Sequence, residues 1–283
     1  EIIRGVSFKV FKNGPKLIPD ILNLCLNHKE KDFLVFDKER YSYGEFHQIT
    51  CQIAHLLMDE YSIRPGDRVA ILMKNSPEFP LIFMALSSIG AVAVCLNSWW
   101  TSDELKYGFM DSKVKLVFTD EQRLAKIKGF VSEMGVQTVL CRHQNSDKSD
   151  EFWNSLLTSK NNELPRTTID QDSDFAVMYT SGSTGHPKGV VMTHRGAIST
   201  LMSWHFGLRV LDVMGLGPVP YVDKNNQPYQ PCQLVSVPFF HVSGTHGGLL
   251  LALWSGTKLV IMKKWDPPEA VRLIELEKVS RFG

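Results

Sequence analysis

A chain of 283 residues is long enough to bury a sizeable core, as one large domain or two small ones. Its hydrophobic content of 43%, charged content of 22% and net charge of +1 are ordinary for a globular protein and give no footing for a nucleic-acid tract or a basic membrane-surface patch. The cysteines (Cys25, Cys51, Cys95, Cys141, Cys232) are scattered and form no C-x-x-C pair, which favours a reducing compartment over a disulfide framework or a structural zinc site.

The N-terminal EIIRGVSFKV has no basic stretch followed by an apolar one, so no signal peptide is expected. In YSYGEFHQITCQIAHLLMDEY (41–61), Phe46, Ile49, Ile53, Leu56 and Leu57 share one helical face and Ser42 is the expected N-cap. The turn RPGD and a buried strand RVAILM follow. FPLIFMALSSIGAVAVCL (79–96) carries no charge and is long enough to suggest a membrane span. Its character changes at Gly90, however, from helix formers to a β-type run. A buried helix over 77–89 and a buried strand over 91–96 fit better, and no transmembrane segment is expected. The chain is expected to be cytoplasmic.

TSDELKYGFMDS then reads as a helix capped by Thr101 or Ser102, followed by the strand VKLVFTD, a helix near 121–134 and the strand VQTVLCR. Residues 143–173 are polar and look like a connector. The alternation predicts an α/β fold with helices packed on mainly parallel sheets, in two subdomains: 1–170 with the connector, and 171–283. A second polar stretch, 217–231, is expected to be an exposed loop or hairpin.

The segment YTSGSTGHPKGVVMTH (179–194) sits between two β-type runs, FAVMYT (175–180) and GVVMT (189–193), with a helix starting near Thr193 or His194. Strand, loop, strand, helix is not the order of an NTPase P-loop, and Lys188 is followed by Gly189 rather than Ser or Thr. No helix dipole is therefore placed to hold an anion. What remains is local: Gly182 and Gly185 let backbone N–H groups converge, Thr180, Ser181, Ser183 and Thr184 add hydroxyls, and Lys188 adds a point charge. Together they suit a phosphate, although a flexible Ser/Gly hairpin with a solvated lysine has the same composition. A serine hydrolase is excluded, because no G-x-S-x-G pentad exists here.

YTSGSTGHPKG resembles the signature loop of the acyl-adenylate-forming superfamily, which includes acyl-CoA synthetases, peptide-synthetase adenylation domains and beetle luciferases. YSYGEF (41–46), GDRVAILMKNSPEF (66–79), LSSIGAVAVCLNSWWTSDEL (86–105) and PFFHVSG (238–244) are similar to family segments in the same order, so the resemblance covers most of 30–283. It implies ATP-dependent activation of a carboxylic acid to an acyl-adenylate, then thioester formation with coenzyme A, with Mg2+ required; the apolar PFFHVSG and the absence of charged side chains over 235–253 favour a fatty or aromatic acid. Loop residues Thr180, Ser181, Gly182, Ser183, Thr184, Gly185 and Lys188 would hold the β- and γ-phosphates. The Thr180 hydroxyl would lie near the magnesium ion, and Lys188 would balance charge on the leaving pyrophosphate. His241 and Gly244 would line the acyl pocket, with Gly247 and Gly248 leaving further room.

Other meanings stand beside these. His241 also fits a core histidine, and the glycines also fit tight helix packing. His241 and His246 do not have a metal-ligand spacing. Trp99 and Trp100 look more like core or subdomain-interface packing than substrate binding. Relative to the family pattern, the later glutamate for magnesium, the ribose-binding aspartate and the C-terminal domain with its adenylation lysine are missing. A fragment truncated before that domain is expected to make no acyl-CoA and to self-associate through exposed apolar surface. The partners expected are a small carboxylic acid, ATP and coenzyme A, with no nucleic acid. An acyl-AMP ligase or adenylation domain loading a carrier protein, or a non-catalytic nucleotide-binding module, is the alternative.

Overall fold

The computed structural model describes residues 1–143, 150–157, 161–180, 185–217 and 219–282. In chain order the strands are β1 (Ile2–Ile3), β2 (Val6–Ser7), β3 (Asp32–Phe36), β4 (Glu39–Ser42), β5 (Arg68–Leu72), β6 (Val92–Cys95), β7 (Leu116–Asp120), β8 (Gln137–Arg142), β9 (Asp174–Thr180), β10 (Lys188–Thr193), β11 (Cys232–Val235), β12 (Lys258–Ile261) and β13 (Arg281–Phe282). The α-helices are α1 (Ile18–Leu24), α2 (Tyr43–Asp59), α3 (Glu78–Ser88), α4 (Ser102–Ser112), α5 (Glu121–Ile127), α6 (Asp150–Leu157), α7 (His194–Val213), α8 (Leu251–Ser255) and α9 (Pro267–Glu277). A π-helix covers Ser243–Leu250.

One sheet has the order β10-β9-β6-β5-β7-β8, parallel except for β10. The other runs β13-β11-β12-β3-β4, parallel except for β4. The mixed α/β architecture expected from the alternation is present. The boundary expected at residue 170 does not separate the sheets: β9 and β10 complete the first, while β3 and β4 belong to the second. Local periodicity identifies strands, but pairing partners are set by the apolar faces that meet in three dimensions.

Packing arranges the sheets in layers. Helices α1, α2 and α3 lie in one core between the sheets, where Phe33, Phe46, Phe79, Phe83 and Phe175 meet. Leu105 and Phe109 of α4 and Ile127 of α5 cover the outer face of the first sheet. Ala270 and Leu273 of α9 cover the outer face of the second.

Capping follows the sequence closely. Ser42 accepts from the Glu45 N–H while the Glu45 carboxylate accepts from the Ser42 N–H, and Thr101 and Glu104 form the same reciprocal pair on α4. Every residue of α3 is buried, and Gly90 separates it from β6. Among the described residues no helix is long and apolar enough to cross a membrane.

Two expectations are corrected. The 143–173 stretch contains α6, whose Phe152 and Leu156 enter the core one helical turn apart; polar flanks hid that short spacing. The helix expected over 121–134 stops at Ile127 and gives way to turns. The described part of the second polar stretch, 219–231, is a largely exposed loop with a bridge between Val222 and Pro228.

A buried ionic cluster joins the layers. Glu78, at the start of α3, accepts from Arg142 Nε at 3.0 Å and from Nη2 at 2.7 Å, and from Trp153 Nε1 at 3.3 Å. The Arg142 Nη1 donates to Glu39 of β4 at 2.7 Å. Burial opposes the charge on Arg142, yet Glu39 and Glu78 more than offset it and hold the guanidinium protonated well above its usual range.

Candidate active site

The segment expected to bind phosphate is flanked by two strands, β9 and β10, that pair antiparallel. Lys188 opens β10 opposite Thr180, the last residue of β9, and both are exposed. Ser181, Gly182, Ser183 and Thr184 lie outside the described residues. Gly185 has φ +94°, a conformation that glycine adopts without strain.

Both limbs of the hairpin are tied to α4. On the outgoing limb the Tyr179 hydroxyl donates to Asp111 Oδ2 at 2.6 Å, and its ring meets Trp100 edge-on at 5.2 Å. Burial raises the Tyr179 pKa above that of a free phenol, and Asp111 adds to the shift. On the return limb His186 stacks on Tyr107 at 4.8 Å. Gly189 faces Tyr179, where an added Cβ would sit 3.3 Å from the phenol ring. Between hairpin and α4 lies a cleft of about 390 Å3 that includes Thr180, Gly185, Asp103 and Glu104. Its two carboxylates make it the wrong sign to hold a polyphosphate unaided.

The second component comes from the other sheet. After β11 the chain turns at Val237–Phe240 into the π-helix. Asn75, just past β5, fixes this turn: its Nδ2 donates to the Val237 carbonyl at 2.8 Å, and its Oδ1 accepts from the Phe239 N–H at 2.9 Å. Phe239 stacks on Phe79 at 5.7 Å, and Phe240 meets Trp99 edge-on at 5.3 Å. Trp100 packs in the core as expected, whereas Trp99 is exposed. Asn75 escapes sequence reasoning, because nothing in NSPEF announces a partner far along the chain.

The turn places the predicted pocket residues differently from one another. The His241 side chain is exposed, and its carbonyl accepts from the Gly244 and Thr245 N–H groups at 3.0 and 3.1 Å, starting the π-helix. Gly244 is a packing glycine: an added Cβ would lie 2.7 Å from the Pro238 carbonyl carbon and 2.9 Å from Phe239 Cα. The open wall position is Gly247, where an added Cβ would meet nothing within 4 Å.

That wall belongs to a cavity of about 670 Å3 bounded by β10, α7, β11 and the π-helix. Val191, Ala197, Trp204, Gln233, Val237 and His246 line it, and among the described residues no Asp, Glu, Lys or Arg does. His246 is buried, with Nδ1 3.1 Å from Thr245 Oγ1, and burial lowers its pKa to about 4. It is neutral at pH 7, so the cavity wall carries no charge. His194, at the start of α7, is also fully buried; its Nδ1 accepts from the Ile18 N–H at 3.2 Å, and burial lowers its pKa to about 4. Among the described residues no group of three His, Cys, Asp or Glu is placed to hold a metal.

A family model for AMP-binding enzymes matches residues 24–282. The chain is 33% identical over 225 residues to a 4-coumarate–CoA ligase of Humulus lupulus, an alignment covering 79% of this chain and 38% of that one. A 4-coumarate–CoA ligase of Vanilla planifolia is 29% identical over 247 residues, covering 86% and 42% respectively. The chain thus spans roughly two fifths of the length of these relatives. Among solved structures, the inhibitor-bound N-terminal domain of FACL13 from Mycobacterium tuberculosis superposes with a TM-score of 0.78 at 26% identity, covering 95% of this chain and 63% of that one. A fatty acyl CoA synthetase from the same organism gives 0.77 at 25% identity, covering 95% and 49%. The family model's match over nearly the whole chain, together with a relative 33% identical over 79% of it, identifies the chain as a member of the AMP-binding enzyme family.

Proposed function

We propose that this chain carries the nucleotide and acid sites of an acid–thiol ligase, which activates a carboxylic acid with ATP and passes the acyl group to coenzyme A. One observation carries the proposal most directly: an exposed lysine and threonine face each other across a hairpin mouth, on the strand that also borders an uncharged cavity of about 670 Å3. That volume suits a small molecule. The absence of charge on its wall favours an apolar acyl group, fatty or aromatic, over an amino acid with an ammonium to anchor.

The substrate carboxylate would attack the α-phosphorus; the bond to the bridging oxygen breaks, and pyrophosphate leaves with the electron pair. Lys188 would offset the negative charge that grows on pyrophosphate, so its contribution is greatest in the transition state. Thr180, exposed at the strand end, fits as one oxygen ligand for a magnesium ion held mainly by phosphates, which asks for only one or two protein oxygens. The ion would supply charge neutralisation there. Tyr179 and His186, tied to α4, would keep the two limbs of the hairpin in register. Asn75 would hold the turn carrying His241 against the first sheet.

The test is acid-dependent exchange of pyrophosphate into ATP by the full-length protein. Lys188→Ala should slow it on the order of a hundredfold, the loss typical of one transition-state electrostatic contact. Undiminished exchange would remove Lys188 from the mechanism, and no exchange with any acid would remove the proposal.

A further inference from the structure

Among the described residues, three buried side-chain polar atoms lack a hydrogen-bond partner: Thr167 Oγ1, His194 Nε2 and Gln233 Oε1. Gln233 lines the cavity described above. It is 9% exposed and sits in β11, whose pairing with β12 and β13 leaves the side chain as its unsatisfied part. Its neighbours Cys232 and Leu234 pack toward α9, whereas Val235 enters the core between the sheets. Gln233 thus shares the inner face with Val235, where an apolar residue would pack without cost. A buried amide oxygen left unpaired is a standing penalty, and such an atom in a native structure calls for a missing partner.

Several other polar groups on the wall are already engaged. Thr193 Oγ1 accepts from the Gly196 N–H at 3.2 Å, and Thr200 Oγ1 donates to the Gly196 carbonyl at 3.0 Å. His246 Nδ1 is taken up with Thr245, and Ser243 stands at the exposed mouth. A ligand filling this cavity therefore meets mainly apolar surface and, at Gln233, a buried amide oxygen without a partner.

We propose that Gln233 is a specificity residue that reads a hydroxyl on the acyl portion of the acid, so that the substrate class is a hydroxylated carboxylic acid rather than a plain hydrocarbon acid. The proposal rests on the cavity being the acyl site. A hydroxyl both donates and accepts, so it satisfies the amide in either of its flipped orientations. A second carboxylate or an ammonium would be stranded, because no charged side chain on the wall could pair with it.

Direct binding tests this without any catalysis. Trp204 borders the cavity, so its fluorescence reports occupancy, with Trp204→Phe identifying its share of the signal. The probes are two matched pairs: ω-hydroxydodecanoate against dodecanoate, and 4-hydroxycinnamate against cinnamate. Wild type should bind the hydroxylated member of at least one pair about tenfold more tightly, the worth of one recovered hydrogen bond. Gln233→Leu and Gln233→Met should both bring that ratio to about one. The ligand-free Gln233→Leu chain should melt no lower than wild type, because an unpaired polar group has been removed.

Equal binding of both pairs by wild type, a preference that survives both substitutions, or no acid binding at all would overturn the proposal. The outcome is distinguishable from failure of the adenylation proposal. Acids that drive pyrophosphate exchange without perturbing Trp204 would leave adenylation standing and Gln233 excluded. Hydroxyl-dependent binding without exchange would do the reverse.

Discussion

The hairpin at 180–188 and the turn-plus-π-helix at 237–250 border the same region but are built by opposite means. The described ends of the hairpin, Thr180 and 185–188, are largely exposed, and tertiary structure holds its limbs by two aromatic ties to α4: Tyr179 on one and His186 on the other. The second segment is largely buried and apolar, and it is held by Asn75 and by close backbone approach at Gly244. Charge can act from an exposed loop with little fold stability invested there. A cavity wall cannot be separated from the core that shapes it. Substitutions in the hairpin should therefore change chemistry and spare stability, and substitutions at the closely packed positions around the π-helix should change both.

The largest expected effect is on the buried side. Arg142→Ala strands Glu78, which is 0% exposed, and should destabilise the chain by about 3–5 kcal/mol in denaturant unfolding. A loss below about 1 kcal/mol would mean that water reaches the cluster and that the joint between the layers is weaker than its burial implies.

Lys188→Ala should show the contrasting pattern. Exchange should drop about a hundredfold while stability stays within about 0.5 kcal/mol of wild type. A large fall in melting temperature would break the comparison, because the hairpin would then be structural.

Acid pH should separate the regions again. Burial lowers the His194 pKa from 6.5 to about 4, so the unfolded chain takes up a proton in that interval before the folded chain does. Stability should thus be intact above about pH 6.5 and decline as pH falls toward 4, by up to roughly 3 kcal/mol for this residue. His246, also lowered to about 4, adds a decline of the same sign. His194→Gln should flatten part of the slope in urea midpoints measured between pH 4 and 7.5. An unchanged slope would assign the acid sensitivity to other groups.

Gly244→Ala should cost about 1–3 kcal/mol, because its Cβ meets the Pro238–Phe239 backbone rather than a side chain that can turn away. Gly247→Ala, facing open space, should leave the melting temperature nearly unchanged and act on acid binding instead. Equal melting shifts for the two would contradict the packing assigned to this segment.

The same contrast explains what the sequence makes legible. Local rules located the N-caps of α2 and α4 and the break at Gly90, and they placed the hairpin strands, because each is set by neighbours a few residues apart. Lys188 and Thr180 stand out for the same reason, being chemistry concentrated in one loop. Asn75, Gln233 and the open face of Gly247 act through partners or space supplied by distant segments, and no local pattern marks them. His241 and Gly244 show the limit from the other direction. Their motif was visible, yet the wider π-helical turn puts the His241 ring on the surface and packs Gly244 against backbone, leaving Gly247 and His246 to face the cavity.

The division between hairpin and cavity is tested most directly by two titrations on the same pair of proteins, wild type and Lys188→Ala. Calorimetry with Mg·ATP reads the hairpin, and Trp204 fluorescence with the carboxylic acids reads the cavity. The account predicts that Lys188→Ala weakens nucleotide binding by at least about tenfold, as expected for loss of a charge-assisted contact of roughly 1.5 kcal/mol or more, while acid affinity holds. Nucleotide affinity that is untouched by the substitution, or acid and nucleotide affinities that fall together, would contradict it.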